Sequence, residues 1–455
     1  MKRFIAIAEI VFVIFGFTFF TGVGLFGGKP GAPALIPIVL ATPLRYFVWG
    51  MAGLLLCLRW KRSLTVATQN PLLILLTVWV SCSFVWSENF ALSLDKSREV
   101  WQMATFGFYL GTRFTLKQQL RLFSGSLLLG AILSILLAIG VPYIGIHQDE
   151  HVGAWKGIYV FKNALGSMMS LAAACFTLLP LQPIVKAVGV FLAMALMLLS
   201  TSKGALLLFF INLFLLYLYR SFRWKGKITV ILIDLGLLVG GTVITVVLSQ
   251  WVNLLTALGK DPTLTGRIPM WGSALQALME KPLFGFGRGV FWAEGSYRAL
   301  TAGRSVNYGY IPPNCHNGFI DLSLDNGFIG LGLFFLCFFV TYITALRRAY
   351  GSNRGEDSLP LAFLTLLLIN NCTESYLLDL TNIYWVLFTA VSLAVHAPQP
   401  LPIPSRPALT PIAPVPEEED SWRDPQLEPS GLPAPEAATS PNPFLPMFQA
   451  WSKSR

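Results

Sequence analysis

The sequence predicts an all-α, polytopic integral membrane protein with about twelve transmembrane helices and one large extracytoplasmic loop. Three observations predict it. The 455 residues are 54% hydrophobic and only 12% charged, whereas a soluble domain carries about a quarter charged residues. Apolar runs recur near the membrane-spanning length. Basic residues gather in alternate connectors between those runs.

The runs lie at about 4–26, 34–58, 71–86, 100–112, 120–140, 164–181, 184–200, 203–219, 228–250, 327–346, 359–371 and 378–396. The first follows Met1-Lys2-Arg3. It is longer than the apolar core of a secretory signal and no clean small-x-small site follows, so it reads as the first spanning helix. With the N-terminus inside, one set of connectors holds sixteen basic residues, from Lys2 and Arg3 through Arg59, Lys61, Arg62 and Arg113 to Arg347, Arg348 and Arg354. The opposite short connectors hold six: Lys29, Lys96, Arg98, Lys156, Lys162 and Lys203. The positive-inside rule then puts both termini in the cytoplasm and the long segment 251–326 outside. Residues 1–396 form the helical domain, and 397–455 a disordered cytoplasmic tail, since the prolines from Pro398 to Pro416 and the acidic run Glu417–Asp420 leave little to bury. The net charge of +10 is a topology signal, not a nucleic-acid groove.

Six cysteines offer no metal framework. Cys57, Cys82, Cys175 and Cys337 fall in apolar runs, and Cys315 and Cys372 fall on the outer side, where pairing is open. His147 and His151 bracket Gln148-Asp149-Glu150. Their i, i+4 spacing would suit a metal only with a third ligand, and none stands out, so a solvated loop is the default.

Chemistry concentrates in 251–326. It holds Thr265-Gly266-Arg267 with Trp271, then Pro282-Leu283-Phe284-Gly285-Phe286-Gly287-Arg288-Gly289, then His316-Asn317-Gly318-Phe319 running into Asp325-Asn326-Gly327. No strand precedes the glycines, so they are turn residues and not a dinucleotide loop. Arginine suits a diphosphate, because its planar fork stays charged and binds two oxygens. Arg267 is the first candidate, with a headgroup anchor as the alternative. Lys203 and Arg288 follow it. His316 is the natural general base, since histidine's ordinary pKa lies near neutral. Glu374 would orient the base or the acceptor.

Taken in order, TGR-x-x-x-W, P-L-F-G-x-G and H-N-x-F-x-D-x-x-x-D-N-G-x-x-G resemble the O-antigen ligase and O-antigen polymerase family. Phe161-Lys162-Asn163-Ala164-Leu165-Gly166 and Leu199-Ser200-Thr201-Ser202-Lys203-Gly204-Ala205 look like two further landmarks, and Glu374-Ser375 falls where the family often has an acidic outer connector. The likeness covers 161–346 best. It departs at Lys203, where family members usually have arginine.

The resemblance implies a type-C glycosyltransferase-like fold in the bacterial inner membrane. It implies transfer or polymerisation of glycan from an undecaprenyl-diphosphate-linked donor at the outer face, in lipopolysaccharide or exopolysaccharide biosynthesis. The acceptor would be a glycan or the lipid A core, and no metal or nucleotide would be needed. The partners are the bilayer and, as an open possibility, other polysaccharide-assembly proteins, with no nucleic acid. In-line attack with Arg267 and His316 on opposite sides of the anomeric carbon would invert it. Ligase and polymerase share these landmarks. The competing class is a transporter or flippase for a small anion or lipid-linked glycan. Against it, Glu9, Arg45 and Asp234 are the main ionisable residues inside the runs, fewer than coupled transport needs. A scaffold acting through the proline-rich tail is a third class.

Overall fold

The computed structural model describes residues 2–27, 33–148, 151–221, 266–304, 306, 309–352, 354–380 and 382–396. In chain order the helices are α1 Lys2–Thr21, α2 Val23–Phe26, α3 Ile38–Leu58, α4 Trp60–Gln69, α5 Pro71–Ser81, α6 Phe90–Arg113, α7 Leu116–Gly140, α8 Pro142–Gly145, α9 Lys162–Leu178, α10 Pro183–Leu199, α11 Lys203–Ser221, α12 Arg267–Leu278, α13 Tyr297–Arg304, α14 Gly318–Tyr350, α15 Leu359–Asn371 and α16 Tyr384–His396. There is no strand among the described residues, only an isolated antiparallel bridge between Ile146 and Trp155. The chain divides into Glu9–Ala397, treated below, and a second unit of Met1–Ala8 with Pro398–Arg455, of which only Lys2–Ala8 is described, as the opening turns of α1.

Every expected apolar run among the described residues contains a helix, although that at 378–396 is helical only from Tyr384 and that at 71–86 is α-helical only to Ser81. The run at 228–250 and the tail 397–455 lie outside the described residues. Among the described residues three helices are long and apolar enough to cross a membrane: Val39–Leu58, Leu116–Gly140 and Gly318–Tyr350. Trp60–Gln69 with Pro71–Ser81 makes a fourth only if counted as one span bent by 96°. Four others, Ala6–Thr21, Pro183–Leu199, Lys203–Tyr217 and Tyr384–His396, are apolar but shorter. Two helices begin earlier than hydropathy alone indicates. α6 starts at Phe90, and α14 at Gly318 inside the expected loop, because charged residues interrupt their opening turns, Asp95 to Glu99 in α6 and Asp321 and Asp325 in α14.

The helix starts carry their own signals. Asn89 accepts from Leu92 N at 3.1 Å to cap α6, Thr115 and Gln118 form a capping box on α7, and Asn317 accepts from Phe319 N and Ile320 N at 3.1 and 3.2 Å on α14. Packing uses small residues. Gly107 and Gly111 stand one turn apart on α6, where a Cβ would lie 2.6 Å from Val386 O and 2.7 Å from the Leu393 Cβ of α16. Such contacts let helix backbones approach closely where lipid supplies no hydrophobic drive. α9, α15 and α16 are buried along nearly their whole length.

α14 is broken at Gly327, with φ 67 and ψ −174. The break strips carbonyls and amides of their i to i−4 partners. The glycine loop 282–287 replaces them. Phe286 N donates to Leu324 O at 2.7 Å, Gly287 N to Asp325 O at 3.1 Å, and Phe328 N to Pro282 O at 2.7 Å. Gly285 (φ 72) and Gly327 leave no room for a side chain: a Cβ on Gly285 would lie 2.5 Å from Leu324 O, and one on Gly327 would collide with Leu283 O.

Candidate active site

Three loops meet above the N-terminus of α14. His316 has φ 52, a left-handed backbone rare for a residue with a Cβ. Its neighbours hold it there. Asn314 Oδ1 accepts from His316 N at 3.0 Å. Trp271 Nε1 donates to Cys315 O at 2.6 Å. Asp321 Oδ1 accepts from Cys315 N at 3.3 Å and from Trp292 Nε1 at 2.7 Å, while its other oxygen accepts from the Ser375 hydroxyl. Non-glycine residues in this region persist when surroundings over-determine them, and they cluster at functional sites.

Glu374 is the hub. It sits just past α15, its amide bonded to Asn370 O at 2.8 Å and its carbonyl accepting from Gly318 N at 3.1 Å. A side chain on Gly318 would strike Asn371 Oδ1. Glu374 Oε2 lies 3.3 Å from His316 Nδ1. Glu374 Oε1 accepts from Asn163 Nδ2 at 2.8 Å, and Asn163 Oδ1 accepts from Ser202 Oγ at 2.9 Å. The starts of α9 and α11 therefore support the carboxylate that faces the imidazole. An ionised carboxylate only accepts, so a neutral imidazole making this contact carries its hydrogen on Nδ1 and keeps the lone pair on Nε2.

Arg267 opens α12 after Gly266, which has φ 81. One turn separates it from Trp271, so both side chains reach the same loops. Arg267 Nη1 donates to Thr373 O at 2.7 Å, and Nη2 lies 3.8 Å from Glu374 Oε1, close enough for charge attraction but not a hydrogen bond. Its side chain is 28% exposed, leaving donors for a ligand. Lys203 follows Ser202, is exposed and makes no ion pair among the described residues.

The structure does not bring Arg288 into this group. Its guanidinium gives Nη1 to Asp325 Oδ2 at 2.6 Å and Nη2 to Leu378 O, and Asp325 Oδ1 takes Gly289 N at 2.8 Å. Arg288 O accepts from Ser93 Oγ at 3.0 Å and its amide donates to Ser83 Oγ at 3.2 Å. The diphosphate role read for it finds no support in this placement: Nη1 and Nη2 latch the glycine loop to α14 and to Leu378, its carbonyl accepts from α6, and only Nε lacks a partner among the described residues. A second latch lies nearby, where Glu88 pairs with Lys281 and Arg298 at 2.9 Å each. Partial burial opposes its ionisation, yet Lys281 and Arg298 hold the Glu88 carboxyl below its usual range.

His147 is a helix-end residue. Its Nε2 accepts from Lys162 N at 3.1 Å and its ring stacks on Phe161, which fixes the turn carrying Asn163. Among the described residues no group of three His, Cys, Asp or Glu side chains is placed to hold a metal. Asp149 and Glu150 lie outside the described residues. Cys315 and Cys372 are both free. Burial, followed by the Asp321 carboxylate, pushes the Cys315 thiol well above its ordinary range. Glu9, one of the ionisable residues inside the runs, pairs with Arg113.

Sequence reasoning gave no role to Asn163, Ser202 or Asp321. Asn163 and Ser202 stood out only as members of the two landmark stretches 161–166 and 199–205, and Asp321 as part of the His316 motif.

Residues 188–335 match the O-antigen ligase family model. Over 109 residues the chain is 30% identical to the exopolysaccharide production protein ExoQ of Rhizobium meliloti (strain 1021), covering 24% of this chain and 25% of that protein. The aligned part thus spans about a quarter of the curated relative. The family match includes Lys203, Arg267 and His316 and stops short of both Asn163 and Glu374. Together the matches support a likeness to the O-antigen ligase/polymerase family over the middle of the chain, which also carries helices long and apolar enough to cross a membrane.

Proposed function

We propose that this chain, which carries an O-antigen ligase family region, moves glycan from an undecaprenyl-diphosphate-linked donor onto a glycan or lipid-core acceptor at the outer face of the inner membrane. The observation that carries the reading is Glu374, which joins the His316 imidazole to Asn163 and stands 3.8 Å from Arg267. An acceptor hydroxyl attacks the anomeric carbon and passes its proton to His316 Nε2. The bond from that carbon to the diphosphate oxygen breaks, and its electron pair leaves with the lipid diphosphate. Arg267 meets the departing charge with its free donors, and Lys203 adds a second cation. Glu374 orients the imidazole and stabilises it once protonated, as a carboxylate does beside any general-base histidine. Attack opposite the leaving group inverts the centre. No step calls on a metal.

The outer-face assignment is supported by the basic connectors and by α6. The loop 267–317 is tied by Arg288 to Ser93 near the start of α6, and Arg113 at its far end belongs to the Arg-rich connectors. The two points are about 30 Å apart along a helix, the thickness of a bilayer's apolar core. The relative from Rhizobium meliloti is named for exopolysaccharide production, which favours an exported polysaccharide as product. Deletion followed by a gel of surface polysaccharide tests the reading. Collapse of the ladder to single repeats marks a polymerase, and loss of attached glycan with carrier-linked polymer accumulating marks a ligase. An unchanged pattern rejects both.

A further inference from the structure

At the end of α6 remote from Ser93, a small cleft is lined by Glu9, Leu55, Leu56, Arg59, Arg62, Ser63, Tyr109, Thr112 and Arg113. Its floor is already neutral. Arg113 Nη2 donates to Glu9 Oε2 at 2.6 Å, and Tyr109 OH donates to Glu9 Oε1 at 3.1 Å. Arg59 and Arg62 differ. Both are exposed and neither makes an ion pair among the described residues. Leu55 and Leu56 supply an apolar wall beside them.

The helix that carries Arg62 is built for an interface. α4 buries none of its residues, and Trp60 and Leu64, one turn apart, are 60% and 56% exposed. Lys61 stands beside that face, its Nζ 5.8 Å from the Trp60 ring centroid, while Arg62 projects from the other side of α4 into the cleft. α4 meets α5 at 96°. If α5 runs across the bilayer, α4 lies along its surface, where tryptophan and basic side chains both find favourable positions.

We propose that the corner of α3 and α4 binds an anionic glycerophospholipid, with Arg59 and Arg62 on its phosphate headgroup and an acyl chain laid over Leu55 and Leu56. Charge selects the ligand. Two guanidiniums without an ion pair among the described residues, beside an apolar wall, match a phosphate joined to hydrocarbon, and the forked donors of arginine suit phosphate oxygens. A zwitterionic lipid would bring a cation toward the same arginines. A free phosphate would leave the leucines without a partner. The site lies at the far end of α6 from the Arg288 latch, so it anchors the protein in the opposite leaflet without sharing residues with His316, Glu374 or Arg267.

The test uses the full chain in vesicles of phosphatidylcholine carrying a trace of photoactivatable phosphatidylglycerol. After irradiation, the labelled peptides are mapped. Labelling within 55–66 is expected to be competed by phosphatidylglycerol and not by added inorganic phosphate. Arg59→Gln with Arg62→Gln is expected to lower it on the order of tenfold or more, and Arg59→Lys with Arg62→Lys to recover most of it. The helical circular dichroism of each variant must match the parent. Three outcomes would overturn the proposal: undiminished labelling in the folded glutamine variant, equal labelling by a phosphatidylcholine probe, or competition by inorganic phosphate. Should the glutamine pair fail to fold, labelling of the lysine pair that is not competed by phosphatidylglycerol overturns it equally.

Discussion

Glu374 Oε2 lies 3.3 Å from His316 Nδ1 although the two residues are 58 apart in sequence. A carboxylate on that nitrogen fixes the tautomer and turns Nε2 toward the open side of the site. Glu374→Gln keeps the size and can still accept, but it loses the charge that stabilises a protonated ring. It is expected to lower the transfer rate by on the order of 10²-fold or more, with donor affinity changed little. Turnover and donor binding measured separately check this, and a fall confined to binding would contradict it.

Asn163 and Ser202 hold Glu374 from behind. Asn163→Ala frees one carboxylate oxygen and is expected to slow transfer on the order of 10²-fold, as small misplacements of catalytic groups do. Ser202→Ala removes only the outer support and should cost less. A merely structural role predicts reduced expression and an unchanged pH profile of the remaining activity. A positioning role predicts normal expression and a displaced profile.

Arg267→Ala should lose on the order of 2–4 kcal/mol of transition-state stabilisation, roughly thirty- to a thousand-fold in rate. Arg267→Lys should recover part of it, since the charge remains and the fork does not. Arg288→Ala should act differently. It leaves Asp325, whose side chain is 4% exposed, without its partner. Breaking such a pair costs on the order of 3–5 kcal/mol, so the expected readout is lost folded protein in the membrane, seen by thermal aggregation of detergent extracts. Full thermal stability with lost transfer would return Arg288 to the catalytic group.

The apolar runs made most of the helices legible, because lipid-facing segments need little else to declare themselves. The polar starts of α6 and α14 were hidden. α6 opens through Asp95, Lys96, Arg98 and Glu99, which satisfy one another by pairs such as Lys96 with Glu99 at 2.9 Å. α14 opens through Asp321 and Asp325, whose oxygens are taken by Trp292, Ser375 and Arg288. His316 and Arg267 could be picked out by residue chemistry and order. The Asn163 contact to Glu374 spans 211 residues, and no local pattern encodes such a pairing. Arg288 looked like a free cation for the same reason: its partner Asp325 sits on another element.

Cys315 offers a check on the loop that holds His316. Burial and the Asp321 carboxylate keep its thiol protonated, and only thiolate reacts readily. In a variant retaining this cysteine alone, a maleimide should label slowly at pH 7. The rate should climb only as the pH passes well above the ordinary thiol value of about 8.5, and labelling should be rapid once the protein is unfolded. Fast labelling of the folded protein at pH 7 would mean that the loop is open.

The most direct measurement is single-turnover transfer by the full chain, reconstituted with carrier-linked donor and acceptor, in the parent and in His316→Ala, with donor binding followed in the same vesicles. Removing the base that accepts the acceptor's proton is expected to leave donor binding within about twofold and to lower the transfer rate by ~10²–10⁴-fold. Transfer at the parental rate in His316→Ala would contradict the account and leave His316 as a residue that only shapes its loop.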